Sequence, residues 1–487
     1  MKYSILHISD LHRITDADID CIISSFQLEK EKYRFMGIPP VRLIIVSGDI
    51  INGSNSENNY AAKEEISKQY EVAMKFLVAL TEIFIGTDAK DRLNVVLVPG
   101  NHDMSRYVSH DSMEPIQHDN IEDLVSALWS NNSSIRWSWK KLQFFNITRK
   151  ELYNQRFDDF KDFYNNFYQG YRSFPTDAEA QSDIIDIQDL NVTIACFNSC
   201  YQLDHLRYNG YISPKSLSKL TKSLIEASKN GRLIIAVWHH HTQGLPNENN
   251  YLDYTILDNM TQNGIQIAFH GHQHVSGILQ ERKDIFSDAK LTMISAGSLY
   301  GNSSDLPSGL SRQYNIIAVD MQDDSCTLTL HSREDSTALN TMPAWDSGYI
   351  GRSKKESFDI TVSLPQKVNK NTGEIVEDEI NKINIFVEKT QDYGKGLEML
   401  KGLDINNPIV RKFVLDFAIR IDDYETIKLV FSDPHSIIEA ITIVDCCTRR
   451  KDPDTFRLVN KSEFVNASKD PSLKALIEDA KIQLNIK

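Results

Sequence analysis

Residues 4–12 read Ser-Ile-Leu-His-Ile-Ser-Asp-Leu-His. Ser4–Ile8 is a short, mostly apolar run with little alternation, the mark of a strand buried on both faces. Just beyond it lie Asp10 and His12. In extended backbone, residues two apart point the same way, so this carboxylate and this imidazole are expected to grip one ion together.

The pattern recurs along the chain. Arg42–Val46 runs into Ser47-Gly48-Asp49-Ile50, and Leu93–Val98 into Pro99-Gly100-Asn101-His102-Asp103. Leu233–Val237 runs into Trp238-His239-His240-His241, and Ile265–Phe269 into His270-Gly271-His272-Gln273-His274. A sixth run, Val192–Phe197, precedes Asn198-Ser199. Helical patterns lie between, among them Tyr60–Ile85 and Ser213–Ala227, the latter opening on Ser-Pro as an N-cap followed by a first-turn proline. Alternating strand and helix predict a layered α/β domain, closed by late strands at Leu291–Ser295, Asn315–Asp320 and Thr327–His331. Open α/β sheets place their sites at the carboxyl ends of strands, and the metal-ligating residue types fall there. One Asp-x-His or Asn-His-Asp alone would be ordinary turn chemistry. Five blocks, each ending a predicted strand, are not explained that way.

Oxygen and imidazole donors without thiolate suit a borderline divalent metal: Mn, Fe, Zn, Ni or Co. Two such ions carry about +4. Asp10 and Asp49 return two negative charges and the other donors are neutral, so the remaining positive charge favours a hydroxide and an anionic phosphoryl group.

In this order and spelling the five blocks resemble the signatures of the calcineurin-like metallophosphoesterases, over residues 1–333. Ser295-Ala296-Gly297-Ser298 on a late strand agrees. The resemblance implies a four-layer α/β/β/α sandwich. It implies that Asp10, His12 and His274 hold one metal, that Asn101, His239 and His272 hold the other, and that Asp49 bridges. A metal-bound hydroxide would attack phosphorus in line, with Mn the favoured metal. His102 would be the general acid, and Asp103 would orient it. Where the family often has His-His-Pro, this chain has three histidines and Thr242, which leaves His239 or His240 as ligand, the strand register favouring His239.

The chain has 487 residues; at about 150 per domain that means two or three domains. Its net charge of −14 argues against a protein that coats nucleic acid. No apolar run suits a membrane helix, and the N-terminus lacks the h-region of a signal peptide. Six cysteines with no C-x-x-C point to a reducing cytoplasm.

Residues 104–180 interrupt the alternation. Ile135, Trp139, Leu142 and Phe145 share a helical spacing, as do Phe157, Phe160, Tyr164, Phe167 and Tyr171, which predicts a helical insertion. Within it, Arg136–Lys150 interleaves cations with aromatics, the composition of a single-strand-binding surface or of an amphipathic helix kept wet by lysines. Residues 334–357 read as a linker. A mostly helical C-terminal domain at 358–487 follows, with strands Phe358–Leu364 and Lys382–Val387 around a turn at Asn369–Gly373, helices at Pro408–Ile421 and Pro471–Ile482, and no internal repeat. It is a candidate surface for self-association or a protein partner.

The leading expectation is a metal-dependent phosphodiesterase acting on a cyclic or other nucleotide, or on another small phosphodiester. The alternatives are a nuclease acting on DNA or RNA ends and a metal-free interaction scaffold. The Gly-Asp-x-x-Asp-Arg-Gly spelling of protein phosphatases is absent, since Asp49 is followed by Ile50-Ile51-Asn52-Gly53.

Overall fold

The computed structural model describes residues 1–486 except 57, 118–120, 131–132, 178–179, 245–249, 254, 284–289, 300–305, 307–308, 338–341, 351–354 and 366–372. The chain forms two compact units, 1–367 and 368–487.

Among the described residues of the first unit, a seven-stranded sheet runs in the order Trp345–Ser347, Ser325–Asp335, Gln313–Met321, Lys2–Ile8, Val41–Val46, Val95–Leu97, with Ser357–Ser363 also pairing to Ser325–Asp335. A six-stranded sheet runs Gly277–Lys283, Lys290–Ser295, Ile267–His270, Leu233–Val237, Val192–Phe197, Ser182–Ile187. The strands that precede the motif blocks pair in parallel within each sheet, so their carboxyl ends emerge along one edge.

Period-two geometry sorts the strand side chains of the two sheets into three cores. Ile5, Leu43 and Ile45 turn toward the second sheet and meet Ile194, Ile235 and Ile267. Leu6, Ile8, Ile44 and Val46 turn outward onto Phe26, Phe76 and Phe160 of the helices Ile19–Phe35, Asn59–Phe84 and Asp158–Tyr168. On the far side, Pro214–Lys229 and Thr255–Gln262 lay Leu217, Leu224 and Leu257 over Ile234, Ala236 and Ala268. This is the α/β/β/α sandwich. Its strands read as continuous apolar runs because each face has its own core. Asn58 and Ser213 cap their helices by accepting from the Ala61 and Lys215 amides.

Three expectations are corrected. The segment with helical spacing at 135–145 is a hairpin, Ile135–Ser138 paired with Gln143–Ile147, joined by Met113–Pro115 into a three-stranded sheet. Aromatic and β-branched residues favour strands, and Ile135 and Phe145 end on opposite faces. The insertion is therefore mixed, although Asp158–Tyr168 is helical as its aromatic spacing required. Second, the stretch read as a linker at 334–357 contributes Trp345–Ser347 to the first sheet, and Ser357–Ser363 pairs there too, so the first unit extends to residue 367. Third, Lys382–Val387 lies inside the helix Gly373–Thr390: Ile380, Ile383 and Val387 are buried at helical spacing despite their β-branched surroundings. Of the turn placed at Asn369–Gly373, residues 369–372 lie outside the described residues.

The second unit also carries a repeat. The left-handed residues Gln391, Asp422 and Lys451 are each followed by an aspartate, Asp392, Asp423 or Asp452, whose side chain caps a short helix. A longer helix precedes each one (Gly373–Thr390, Pro408–Arg420, Ile437–Arg450). The recurrence, roughly every 30 residues, falls within the range of helical repeat arrays. It escapes the sequence because the repeated feature is a backbone turn.

Ending the chain at residue 340 would remove two paired strands and uncover the partners of Trp345, Ile360 and Leu364, a loss on the order of 5 kcal/mol. A 1–367 fragment should melt cooperatively, while a 1–340 fragment should melt about 10 °C or more lower, or fail to fold. Equal melting of the two by calorimetry would contradict the strand assignment.

Candidate metal centre

The two sheets deliver their motif blocks to one place. Asp10 and His12 follow the strand Lys2–Ile8, Asp49 follows Val41–Val46, and Asn101 and His102 follow Val95–Leu97. From the other sheet come His239, after Leu233–Val237, and His272 and His274, after Ile267–His270. The backbone amides of Leu11 and His12 donate to the Asp49 carbonyl (2.8 and 3.0 Å), which pins the first block to the second.

Asp10, His12, Asp49, His272 and His274 all have positive φ, from 41° to 76°. Asp10 and His12 therefore share a direction through left-handed turns rather than through the extended backbone expected. Asp and His visit this region more readily than most side chains, at a cost, and strain of this kind collects at functional sites. Two glycines permit the crowding. A Cβ on Gly100 would overlap the Asp49 carboxylate and amide, and one on Gly271 would overlap Ser9 and Asp10.

Two donor groups result. In the first, Asp10 Oδ1 lies 3.3 Å from His274 Nε2 and 4.0 Å from His12 Nε2, with the two imidazole nitrogens 3.4 Å apart. In the second, Asn101 Oδ1 lies 3.0 Å from His239 Nε2 and 2.9 Å from His272 Nδ1, and Asp49 Oδ2 lies 3.2 Å from His239 Nε2. Asp49 belongs with Asp10 and His239 in one possible cation cluster and with His12 and His102 in another.

The chemistry of this set fits a pair of cations. Lone-pair atoms face one another, and Asp10 Oδ1, which meets the Nε2 atoms of His274 and His12, is buried without a hydrogen-bond partner among the described residues. Burial works against the charge on Asp10, yet the imidazoles of His274 and His239 hold its carboxyl well below the usual range. Burial likewise opposes ionisation of Asp49, and His239 and His102 outweigh it. Burial lowers His12 and His272 to about 4, keeping them neutral at pH 7. His239 goes the other way: burial disfavours its charge, but Asp49 raises it to about 9.

His239, not His240, is the member of the histidine triplet among the donors. Its Nδ1 donates to the Ser47 carbonyl (2.8 Å), which turns Nε2 toward Asp49 and Asn101. His240 is buried one layer behind, with Nδ1 against Ser199 Oγ (2.9 Å) and its ring 4.7 Å from that of His272. His270 packs on Trp238 and His241. Cys196 and Cys200 are buried, and all six cysteines are free thiols.

His102 stands at the rim. Its amide donates to Asp49 Oδ1 (2.8 Å), and its Nδ1 donates to the Asn52 carbonyl (2.7 Å). The orienting role expected of Asp103 is thus corrected, for Asn52 fills it. The Asp103 carboxylate turns inward to accept from the amides of Gly100 (2.8 Å) and Ile50 (3.1 Å) and from the Tyr70 hydroxyl (3.2 Å). Burial and the nearby Asp49 charge raise it to about 7. It staples the Asp49 and Asn101 loops together. Sequence reasoning missed Asn52 and Ser47 because they act through main-chain carbonyls. Ser199 and Ser298, flagged only as adjuncts, prove to be supports: Ser199 Oγ accepts from the His239 amide (3.2 Å), and Ser298 Oγ donates to the Asp10 carbonyl (2.9 Å).

Residues 3–276 match the family model described as calcineurin-like phosphoesterase. The chain belongs to this family. Calcineurin-like phosphoesterases are metal-dependent phosphoric ester hydrolases with a dinuclear divalent-metal site, and the donor groups above are candidates for it. Among solved structures, a dimetal phosphatase from Danio rerio aligns at 12% identity over 74% of this chain and 98% of its own, with a TM-score of 0.39. YfkN, a calcineurin-like phosphoesterase from Bacillus subtilis, aligns at 12% identity over 74% and 90%, TM-score 0.25. Chaetomium thermophilum Vps29 aligns at 8% over 74% and 98%, TM-score 0.24. No curated protein matches the chain significantly. Among the described residues, no helix of this calcineurin-like phosphoesterase is long and apolar enough to cross a membrane.

Because a ligating imidazole must be neutral, metal loading at pH 7 should expel about one proton, from His239, and affinity should rise with pH toward about 9. Titration calorimetry in buffers of different ionisation enthalpy reads this directly. Buffer-independent heats would remove His239 from the ligand set. Gly100→Ala should abolish loading by displacing Asp49.

Proposed function

We propose that this calcineurin-like phosphoesterase hydrolyses phosphodiester bonds. In this reading Asp10, His12 and His274 hold one divalent ion, Asn101, His239 and His272 hold the other, and Asp49 bridges. The observation that carries it is the position of the Asp49 carboxylate, in reach of both donor groups with the His102 amide on its other oxygen. When bound, two such ions lower the pKa of water and offset charge on phosphoryl oxygens. The oxygen and nitrogen donors suit Mn, Fe, Zn, Ni or Co, with Mn the first choice.

The protein's own groups do the rest. With Nδ1 committed to the Asn52 carbonyl, His102 has Nε2 as the atom that can hand a proton to the departing oxygen. Asp103 holds the two loops in register, so it is a positioning residue. Charge balance favours a diester: two divalent ions, about +4 together, less Asp10 and Asp49 leave room for one anionic nucleophile and one phosphodiester monoanion. A monoester dianion would exceed it by one. Six free cysteines accord with a reducing cytoplasm, and the helical repeats, which expose Leu429, Ile438 and Leu458, are read as the surface that meets a protein partner or a second copy.

Mn-loaded full-length protein should release nitrophenol from bis(p-nitrophenyl) phosphate. His102→Ala should lower kcat by about 10² to 10⁴ with metal content unchanged, and Asp49→Asn should remove both metal and activity. Wild-type protein that binds two ions yet leaves the diester intact, or that binds none, would overturn the proposal in favour of a scaffold.

A further inference from the structure

The insertion takes no part in the chemistry above, yet it is built onto the loop that presents His102. One face of its small sheet is structural: Met113, Phe145 and Ile147 form a buried cluster, and Arg136 is buried 2.5 Å from Asp204. The other face is aromatic. Trp137 and Phe144 are cross-strand partners with rings 4.7 Å apart. Trp139 meets Trp137 edge-on at 5.8 Å while remaining 81% exposed. From residue 131 to 150 the chain has five basic residues and no acidic one, against a net charge of −14 overall; Arg136 is paired with Asp204 and the other four are exposed.

A second group of cations lies beside the loop that presents His102. The helix Arg106–Asp111 follows directly on Asn101–Asp103, and Arg106 Nη1 donates to Asn55 Oδ1 (2.8 Å), in the loop that continues from Asp49. Ser109 bonds His205 Nδ1 (2.8 Å), whose ring lies 5.4 Å from that of His110. The Lys141 ammonium lies 5.5 Å over the Phe145 ring, and Leu206, the residue after His205, packs against the Phe145 cluster. Cations tracking away from a phosphoester site toward an exposed indole match what a single strand requires, since phosphates need positive charge and unpaired bases need an aromatic face. A duplex offers no free base faces.

We propose that the track from Arg106 past His110 and Lys141 to Trp139 binds a single-stranded polynucleotide, phosphates on the cations and a base on the Trp139 ring. The inference rests on the phosphodiesterase reading for its catalytic end, and it names the substrate as polymeric.

The test is fluorescence anisotropy with fluorescein-labelled dT20, single-stranded or annealed to its complement, on full-length Mn-loaded His102→Ala protein so that the probe is not consumed. Single strands should bind more tightly than duplex and weaken on the order of 10-fold between 50 and 200 mM salt. Trp139→Ala and the pair Lys140→Glu, Lys141→Glu should each weaken binding about 10-fold, and Trp139→Phe should restore most of it. Melting temperatures equal to the parent's would establish that these surface variants fold. Salt-independent binding, preference for duplex, or variants binding like the parent would overturn the inference. So would Trp139-dependent sedimentation with phosphatidylglycerol vesicles in the absence of oligonucleotide binding, since exposed indole and lysine also suit an anionic lipid surface. Wild-type hydrolysis of bis(p-nitrophenyl) phosphate separates the two readings: activity without dT20 binding sinks this inference alone, and dT20 binding without activity sinks the hydrolase alone.

Discussion

The site depends on burying one carboxylate. Asp49 is 2% exposed, and an isolated buried charge would cost far more than a domain has to spare. Imidazoles and amides make it tolerable: His239 Nε2 and the His102 amide take its two oxygens, and its carbonyl receives the amides of Leu11 and His12. These partners come from three other blocks, so satisfying Asp49 draws those blocks together. Asp103 repeats the arrangement one layer deeper, tying Gly100, Ile50 and Tyr70.

The arrangement is strained. Five left-handed side chains at about 1–2 kcal/mol each amount to a large fraction of the net stability of a typical domain. Two cores offset this: one between the sheets around Ile5, Ile194 and Ile235, another under the outer helices around Phe26, Phe76 and Phe160. The strained side chains begin two or three residues beyond the strand ends.

Much of this was legible beforehand, for a physical reason. A strand covered on both faces must be apolar without alternation, so Ser4–Ile8 and Leu233–Val237 announce themselves, and the polar residues after them stand out. The ligand residue types followed. Side-chain direction did not. Nothing in Asn-His-Asp says that Asp103 turns inward while a main-chain carbonyl fixes the His102 ring, and left-handed turns at Asp10 and His12 leave no compositional trace. The 135–145 segment satisfied a helical count and a strand alternation at once, and cross-strand pairing of Trp137 with Phe144 decided between them. The strand Ser357–Ser363 was read correctly but given to the wrong unit, because its partner lies far back along the chain.

Neither donor group belongs to one sheet. Asp10 and His12 meet His274 across the seam, and Asn101 meets His239 and His272. A cation seated in either group would therefore act as a rivet between two layers joined by oily contacts and a few hydrogen bonds. Loading would stiffen the sandwich as a whole, and any slippage of one layer past the other would empty both seats together.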